Sequence, residues 1–233
     1  MLEKEKELNE MKSNFVSMAS HEFRTPLSTI LSSISLLEQY KTTETQEKRD
    51  KHIKRIKSSV SEMVAILEEF LSLEKIEEGK VHVKKELFNL KELSEQIHAK
   101  FNTVLKPGQA ILYRHSGDEE ICLDAAFINH ILNNLLSNAI KYSPEDAQVV
   151  FKTTVREDLL ELKVQDEGIG ISAEDQKHLF ERFFRASNTG GIKGTGLGLH
   201  IVKRYIDLLK GNIYIESESG SGSTFTVVLP LNN

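Results

Sequence analysis

The chain has 233 residues, 39% of them hydrophobic and 28% charged, which suits a globular protein of one or two domains. A net charge of −5 argues against general nucleic-acid binding, since phosphate backbones attract basic faces. A single cysteine, Cys122, excludes an intrachain disulfide, and no apolar run approaches the roughly 20 residues that span a bilayer.

The start, Met-Leu-Glu-Lys-Glu-Lys-Glu-Leu, is charged and helical and reads as a cut through a longer coiled segment. No signal peptide opens the chain, a reducing compartment is expected, and membrane anchorage is left to segments upstream. To about residue 78 the pattern is helical with one short break and no glycine. An apolar stripe runs Leu8, Met11, Phe15 and resumes at Leu27, Ile30, Ile34, Leu37, joined through Ala19 and Phe23. At about 100° per residue, His21 lies roughly 160° from Ala19 and Phe23, so its imidazole is expected in solvent with Glu22 beside it. Pro26 denies the Glu22 carbonyl its helical partner, and the stripe spacing changes nearby, so bending is expected to concentrate around His21. Thr43 and Gln46 form a candidate capping box for a second helix, and Gly79 suits the left-handed residue that closes it. Within that helix Ile53, Ile56, Val60, Met63, Leu67 and Phe70 keep heptad spacing. Two such helices make a hairpin that cannot bury its own apolar faces, so a dimeric four-helix bundle is expected.

The second half alternates strands and helices and holds every glycine. A strand near 81–88 precedes a helix on Leu90, Leu93, Ile97 and Phe101, and strands follow near 110–115 and 120–123. Cys122, in the second of these, is expected as a small buried hydrophobe. Asp124 caps a long helix to about Tyr142. Segments 149–155 and 159–165 form a hairpin, 173–182 a short helix, and 199–209 a helix ended by Gly211. Strands near 212–218 and 223–229 finish the chain. This mixed order predicts an α+β sandwich with its helices on one face of the sheet.

Asn134, Asn138 and Lys141 occupy successive turns of one helix, opposite Ile128, Ile131 and Leu135. Alone they read as a solvated polar face; alternatively, an amide oxygen completes a magnesium ion already held by phosphates, with Lys141 neutralising charge. Asp166-Glu167-Gly168-Ile169-Gly170 reads either as a turn or as a carboxylate accepting the amino proton of adenine. Gly190–Leu199, with Gly194, Gly196 and Gly198 directly before an apolar helix, reads either as a flexible surface loop or, favoured by that spacing, as a helix opening whose freed N–H groups suit an anion; it lacks the Walker ending. Arg185, beyond Phe180-Glu181-Arg182-Phe183-Phe184, stands at the mouth of that loop; it reads by default as a surface arginine, alternatively as one within reach of a terminal phosphate. The other histidines show no metal-ligand spacing; only His130, one turn before Asn134, borders the candidate site.

In this order the motifs resemble those of the sensor histidine kinases of two-component signalling: Ser20–Leu27 the H box, Asn134–Ser143 the N box, Asp166–Ile171 and Gly194–Leu199 the glycine boxes, and Phe180–Arg185 the F box. Phe23 stands where leucine is common in that family, and the segment between Arg185 and Gly194 is short. The resemblance implies a dimerisation and histidine-phosphotransfer hairpin over residues 1–78 and a Bergerat-type ATP-binding domain over 79–233. It implies that His21 accepts the γ-phosphate of ATP, Glu22 orients the ring, and Thr25 positions water for dephosphorylating the partner. It further implies that Asn138 carries Mg2+, that Asn134, Lys141, Tyr142 and Arg185 handle phosphates and ribose, and that Asp166 reads adenine. Gly168, Gly170, Ile171 and Gly194–Leu199 (Gly194, Thr195, Gly196, Leu197, Gly198 and Leu199) complete the implied nucleotide site. The implied partners are a second copy, joined through the hairpin, and the receiver domain of a response regulator, with no nucleic acid and no membrane contact within this segment, in the cytoplasm. Two other readings stand beside this one: an ATPase clamp of the same nucleotide-binding superfamily without phosphohistidine, and a dimerising module that senses nucleotide without catalysis.

Overall fold

The computed structural model describes residues 2–40, 45–192 and 194–231, and side chains from residue 20 onward within these, His21 excepted. The chain forms two compact units, one of Met1–Glu74 with Lys193–Thr195, the other of Lys75–Ile192 with Gly196–Asn233.

The helical unit is a pair of long helices, α1 (Leu2–Gln39) and α2 (Gln46–Glu77), the latter ending just inside the second unit. Helix α1 runs through Pro26 without interruption. Its Pro26 and Ser33 are buried, seven residues apart, and α2 buries His52, Ser59, Ile66 and Leu73 with the same repeat. These are the positions a coiled seam aligns on one face. Much of the expected heptad seam lies on the other side of that line. Ile53, Val60 and Leu67 are exposed, as are Val64, Leu71 and, on α1, Leu27, Leu31 and Ile34. Thr43, half of the expected capping box, lies outside the described residues, and Gln46 turns its amide to Asp50 instead (2.9 Å). The expected exposure of the His21 imidazole also lies outside the described side chains, as do Leu8, Met11 and Phe15. At the far end Gly79 takes φ +67°, and the Lys80 N–H reaches the Lys75 carbonyl (3.0 Å), the 6→1 closure of a left-handed helix stop.

The second unit opens with β1 (Glu86–Asn89) and α3 (Leu90–Asn102), then β2 (Ala110–Ser116), β3 (Glu120–Leu123) and α4 (Ala125–Tyr142). It continues through β4 (Gln148–Arg156), β5 (Leu159–Asp166), the one-turn α5 (Ala173–Gln176), α6 (Gly198–Leu208), β6 (Asn212–Ser217) and β7 (Ser223–Pro230). Five strands form a sheet in the order β2-β4-β5-β7-β6, antiparallel except for the parallel pair β2–β4, and β1 pairs with β3 apart from it. Strand alternation puts Val149, Phe151, Thr153 and Val155 of β4 on one face with Leu160, Leu162 and Val164 of β5 and Phe225, Val227 and Leu229 of β7. Helices α3, α4 and α6 pack against strands of this sheet, α4 and α6 also against each other. This is the expected α+β sandwich, of the Bergerat type.

Four local expectations change. The first strand begins at Glu86, not Val81, and the helix after Ser172 lasts one turn instead of reaching Arg182. Cys122 is exposed, not buried, because the period-2 alternation of β3 turns Ile121 and Leu123 inward and their neighbour out. The left-handed residue ending α6 is Lys210 (φ +58°), while a Cβ on Gly211 would lie 2.4 Å from the Leu229 side chain and 2.5 Å from the Val228 carbonyl. Gly211 is therefore glycine for close approach to β7.

Candidate functional site

Helix α4 forms one wall of the site. Asp124 caps it by accepting the Phe127 N–H at 3.0 Å, and its other oxygen accepts the Lys84 N–H at 2.7 Å, which ties the helix to the incoming chain. Phe127, Ile128, Ile131, Leu132, Leu135, Leu136, Ala139 and Ile140 are buried, and this apolar face fixes the rotation of the helix. Asn134, Asn138, Lys141 and Tyr142 consequently stand on a half-buried face. The Asn138 amide donates to Asn134 Oδ1 (3.3 Å), and Lys141 Nζ lies 5.0 Å from the centre of the Tyr142 ring. Burial raises the pKa of the Tyr142 hydroxyl, opposed by the positive charge of Arg185, so the two residues share one electrostatic environment.

The loop after β5 supplies the second wall. Asp166 is buried, with Oδ1 accepting the backbone N–H groups of Gly168 (2.8 Å) and Ser223 (3.2 Å). Burial pushes its carboxyl up to about 6 in spite of both bonds, because no cation among the described residues neutralises it. A Cβ on Gly168 would lie 2.6 Å from Asp166 Oδ1 and 2.8 Å from the Tyr142 carbonyl, so this glycine lets the loop close on α4. Ile169 donates its N–H to that same carbonyl (3.2 Å). Gly170 lies against the Glu218 carbonyl, and the Ile171 N–H donates to Ser217 Oγ (2.9 Å).

The glycine-rich segment divides between the units. Gly194 and Thr195 group with the helical one, and Gly196 to Leu199 with the sheet. Gly196 takes φ +70° against the backbone of Phe183 and Phe184, and Leu197 is fully buried as an anchor. Gly198 begins α6 directly against the first wall: a Cβ there would lie 2.6 and 2.7 Å from the Asn134 amide. His200 donates from Nδ1 to the Phe180 carbonyl (2.7 Å) and joins α6 to the 180–185 segment, while His130 stacks on Tyr205, its ring centre 5.4 Å away. Arg185, exposed, donates to the Ile192 carbonyl (2.5 Å) across the intervening turn. In the helical unit Glu22 is half-buried and Thr25 exposed.

The tertiary structure thus brings Asn134, Asn138, Lys141, Tyr142, Asp166, Gly168, Arg185 and Gly198 to one place from four separate stretches of chain. Residues 11–79 match the His Kinase A (phospho-acceptor) domain, and residues 123–233 match the histidine kinase-, DNA gyrase B- and HSP90-like ATPase family. The chain belongs to the sensor histidine kinases. It is 31% identical over 232 residues to the autoinducer 2 sensor kinase/phosphatase LuxQ of Vibrio parahaemolyticus, covering 95% of this chain and 27% of that protein. The sensor protein GacS of Pseudomonas syringae is 35% identical over 241 residues, 97% of this chain and 26% of that protein. The chain therefore spans about a quarter of the length of these relatives. Among solved structures, the Acinetobacter baumannii histidine kinase AdeS superposes with a TM-score of 0.68 at 27% identity, over 91% of this chain and 98% of that one.

Sequence reasoning missed part of this candidate site. Ser217 and Ser223, hydroxyl to hydroxyl at 2.9 Å, form a polar platform under the Asp166 loop, and Ser223 supplies one of the two donors to Asp166. The run Gly220-Ser221-Gly222-Ser223 was its only trace, a tight turn that lets β7 approach the Asp166 backbone. No described helix is long and apolar enough to cross a membrane.

Proposed function

We propose that this chain is the catalytic portion of a sensor histidine kinase: it autophosphorylates His21 from ATP and passes the phosphoryl group to an aspartate in the receiver domain of a response regulator. Residues 1–78 form the dimerisation and phosphotransfer hairpin and residues 79–233 the ATP-binding domain. One observation carries the reading. A buried, unneutralised carboxylate, Asp166, stands across from an amide-lined helix whose Asn134 leaves room for nothing larger than Gly198.

The donor set fits the nucleotide. With both backbone donors on Asp166 Oδ1, Oδ2 is the acceptor left for the adenine amino group. Gly198 N–H, at the positive end of α6, faces the side that an anion would occupy. Lys141 and Arg185 add cationic charge, and Asn134 and Tyr142 complete the polar lining. With its amide nitrogen turned to Asn134, Asn138 keeps an oxygen for Mg2+, a hard cation that keeps waters and accepts phosphate oxygens as its other ligands. Bound there, magnesium supplies charge neutralisation for the phosphates. Gly168, Gly170, Ile171, Gly194, Thr195, Gly196, Leu197 and Leu199 shape the enclosing backbone. Catalysis of phosphoryl transfer is largely positioning and charge stabilisation, so Glu22 is assigned the orientation of the His21 ring and Thr25 the positioning of water in the reverse, phosphatase reaction.

The exposed Leu27, Leu31, Ile34, Ile53, Val60 and Leu67 are assigned to the hairpin of a second copy, because so long an apolar face is unfavourable in water. Incubation with labelled ATP and magnesium tests the assignment. The chain should yield an acid-labile, base-stable phosphoprotein, and His21→Gln should remove the label. Full labelling of His21→Gln, or steady phosphate release with no phosphoprotein, would end it in favour of an ATPase clamp.

A further inference from the structure

Helix α4 ends where the site needs it most rigid, since Asn138, Lys141 and Tyr142 occupy its last turns. The final carbonyls of a helix have no intrahelical partner and must be met from elsewhere. Here the Ser143 N–H and hydroxyl both return to the Ala139 carbonyl (3.2 and 2.6 Å). The Tyr142 carbonyl takes the Ile169 N–H of the Asp166 loop (3.2 Å). All the others are met by two side chains from the loop between α3 and β2. Gln109, 8% exposed, points Nε2 at the carbonyls of Ile140 (3.2 Å), Ser143 (3.2 Å) and Pro144 (2.8 Å). Its Oε1 accepts the Lys106 N–H (3.0 Å), which fixes the orientation of the amide. Lys106 Nζ donates to the carbonyls of Lys141 (2.9 Å) and Ser143 (2.5 Å), a cation placed at the negative end of the helix dipole. The loop itself is locked down: the Asp146 N–H donates to the Pro107 carbonyl (3.1 Å), and Gly108 (φ +71°) lies so near Asp146 that a Cβ would be 1.7 Å from its Oδ1.

We propose that Lys106 and Gln109 are positioning residues of the nucleotide site, holding the last turn of α4 so that Asn138, Lys141 and Tyr142 keep register with the Asp166 loop. The inference rests on the nucleotide reading above. Neither residue touches the face that would hold the ligand; both act through the carbonyl end of α4. An α4 end without them has the carbonyls of Ile140, Lys141 and Ser143, all on buried or half-buried residues, to satisfy, and the cheapest escape is a rotation of the last turn. A displacement of about 1 Å at a reacting site costs up to about a hundredfold.

Calorimetric titration with magnesium-ATP separates positioning from mere stability. Gln109→Glu sets a carboxylate against three carbonyls, and Lys106→Gln removes the cation. Both should raise Kd by about tenfold or more while the number of sites per chain stays that of the unsubstituted protein. Lys106→Arg should restore Kd to within about threefold, since the guanidinium can serve the same carbonyls. Asn89→Ala, which removes the cap of α3 and touches none of the α4 carbonyls, should lower the melting temperature and leave Kd unchanged. A loss of sites at unchanged Kd, or a Kd in Lys106→Gln equal to that of the unsubstituted protein, overturns the inference. Lys106→Gln decides the matter if Gln109→Glu does not fold. Absence of ATP binding by the unsubstituted chain would instead sink the nucleotide reading, and this inference with it.

Discussion

The two units solve the burial problem in opposite ways. The sheet unit hides most of its large apolar residues: Phe151, Leu160, Leu162, Ile128, Ile131 and Leu132 are all fully buried between the sheet and its helices, with Leu87 and Val104, outside that sheet, left open. The helical unit leaves its own in the open, with Leu31 68% exposed and Leu27 51% exposed. A layered α+β unit has enough interior to be self-sufficient, whereas two helices have two stripes and only one mutual interface. One region therefore has a core of its own, and the other presents the apolar face that the proposed function assigns to a second copy.

The largest expected effect lies in the incomplete region. Val60→Asp with Leu67→Asp should convert a dimer to monomers in sedimentation, because two carboxylates on the facing surface repel their symmetry mates. Residues 79–233 alone should sediment as a monomer in the same experiment, and a dimer of that fragment would break the contrast. Next, in the complete region, Phe151→Ala should destabilise the sheet unit by about 3–5 kcal/mol in denaturant unfolding, through lost burial plus a cavity. A much smaller loss would mean that the sheet core is not the stabilising element.

Asp166 comes third and sets stability against function. Its folded-state pKa, about 6, lies above the ordinary 3.8, so the folded unit binds a proton more readily than the unfolded chain. The stability this provides is complete below about pH 4 and is lost as pH rises through about 6. ATP affinity should move the other way, falling as pH drops below about 6, because a protonated carboxyl no longer accepts from adenine. Asp166→Asn should raise the melting temperature near pH 7, flatten its pH dependence between about 4 and 6, and weaken ATP by about a hundredfold. Melting curves and calorimetry at several pH values check both signs. The smallest effect is expected at Asp124→Ala, where loss of the α4 cap should cost roughly 1 kcal/mol in denaturant unfolding.

Where local pattern and tertiary burial agree, the sequence is legible on its own. The cap at Asp124, the β4–β5 hairpin and the two long helices follow from residue type and periodicity alone, and the folded chain bears them out. Legibility failed where a neighbour decided the outcome. Cys122 looks apolar in sequence, yet the face of β3 that packs inward carries Ile121 and Leu123, and strand alternation leaves Cys122 outside. Gly211 looks like a helix stop, yet Lys210 adopts the left-handed turn and Gly211 makes room for β7. The heptad residues Ile53, Val60 and Leu67 mark a coiled seam in sequence, while the burial within this chain falls on His52, Ser59, Ile66 and Leu73. A seven-residue repeat marks a stripe but not which partner meets it.

The order of residues along this chain determined its fold class, its family and the types of group in its candidate site, because each motif carries its chemistry within a few positions. Only the folded arrangement decided how those groups meet: that Gly198 abuts Asn134, that Asp166 loses its solvent, and that Lys106 and Gln109 reach across to finish α4. Long-range proximity and desolvation are properties of packing, and no short stretch of residues encodes them.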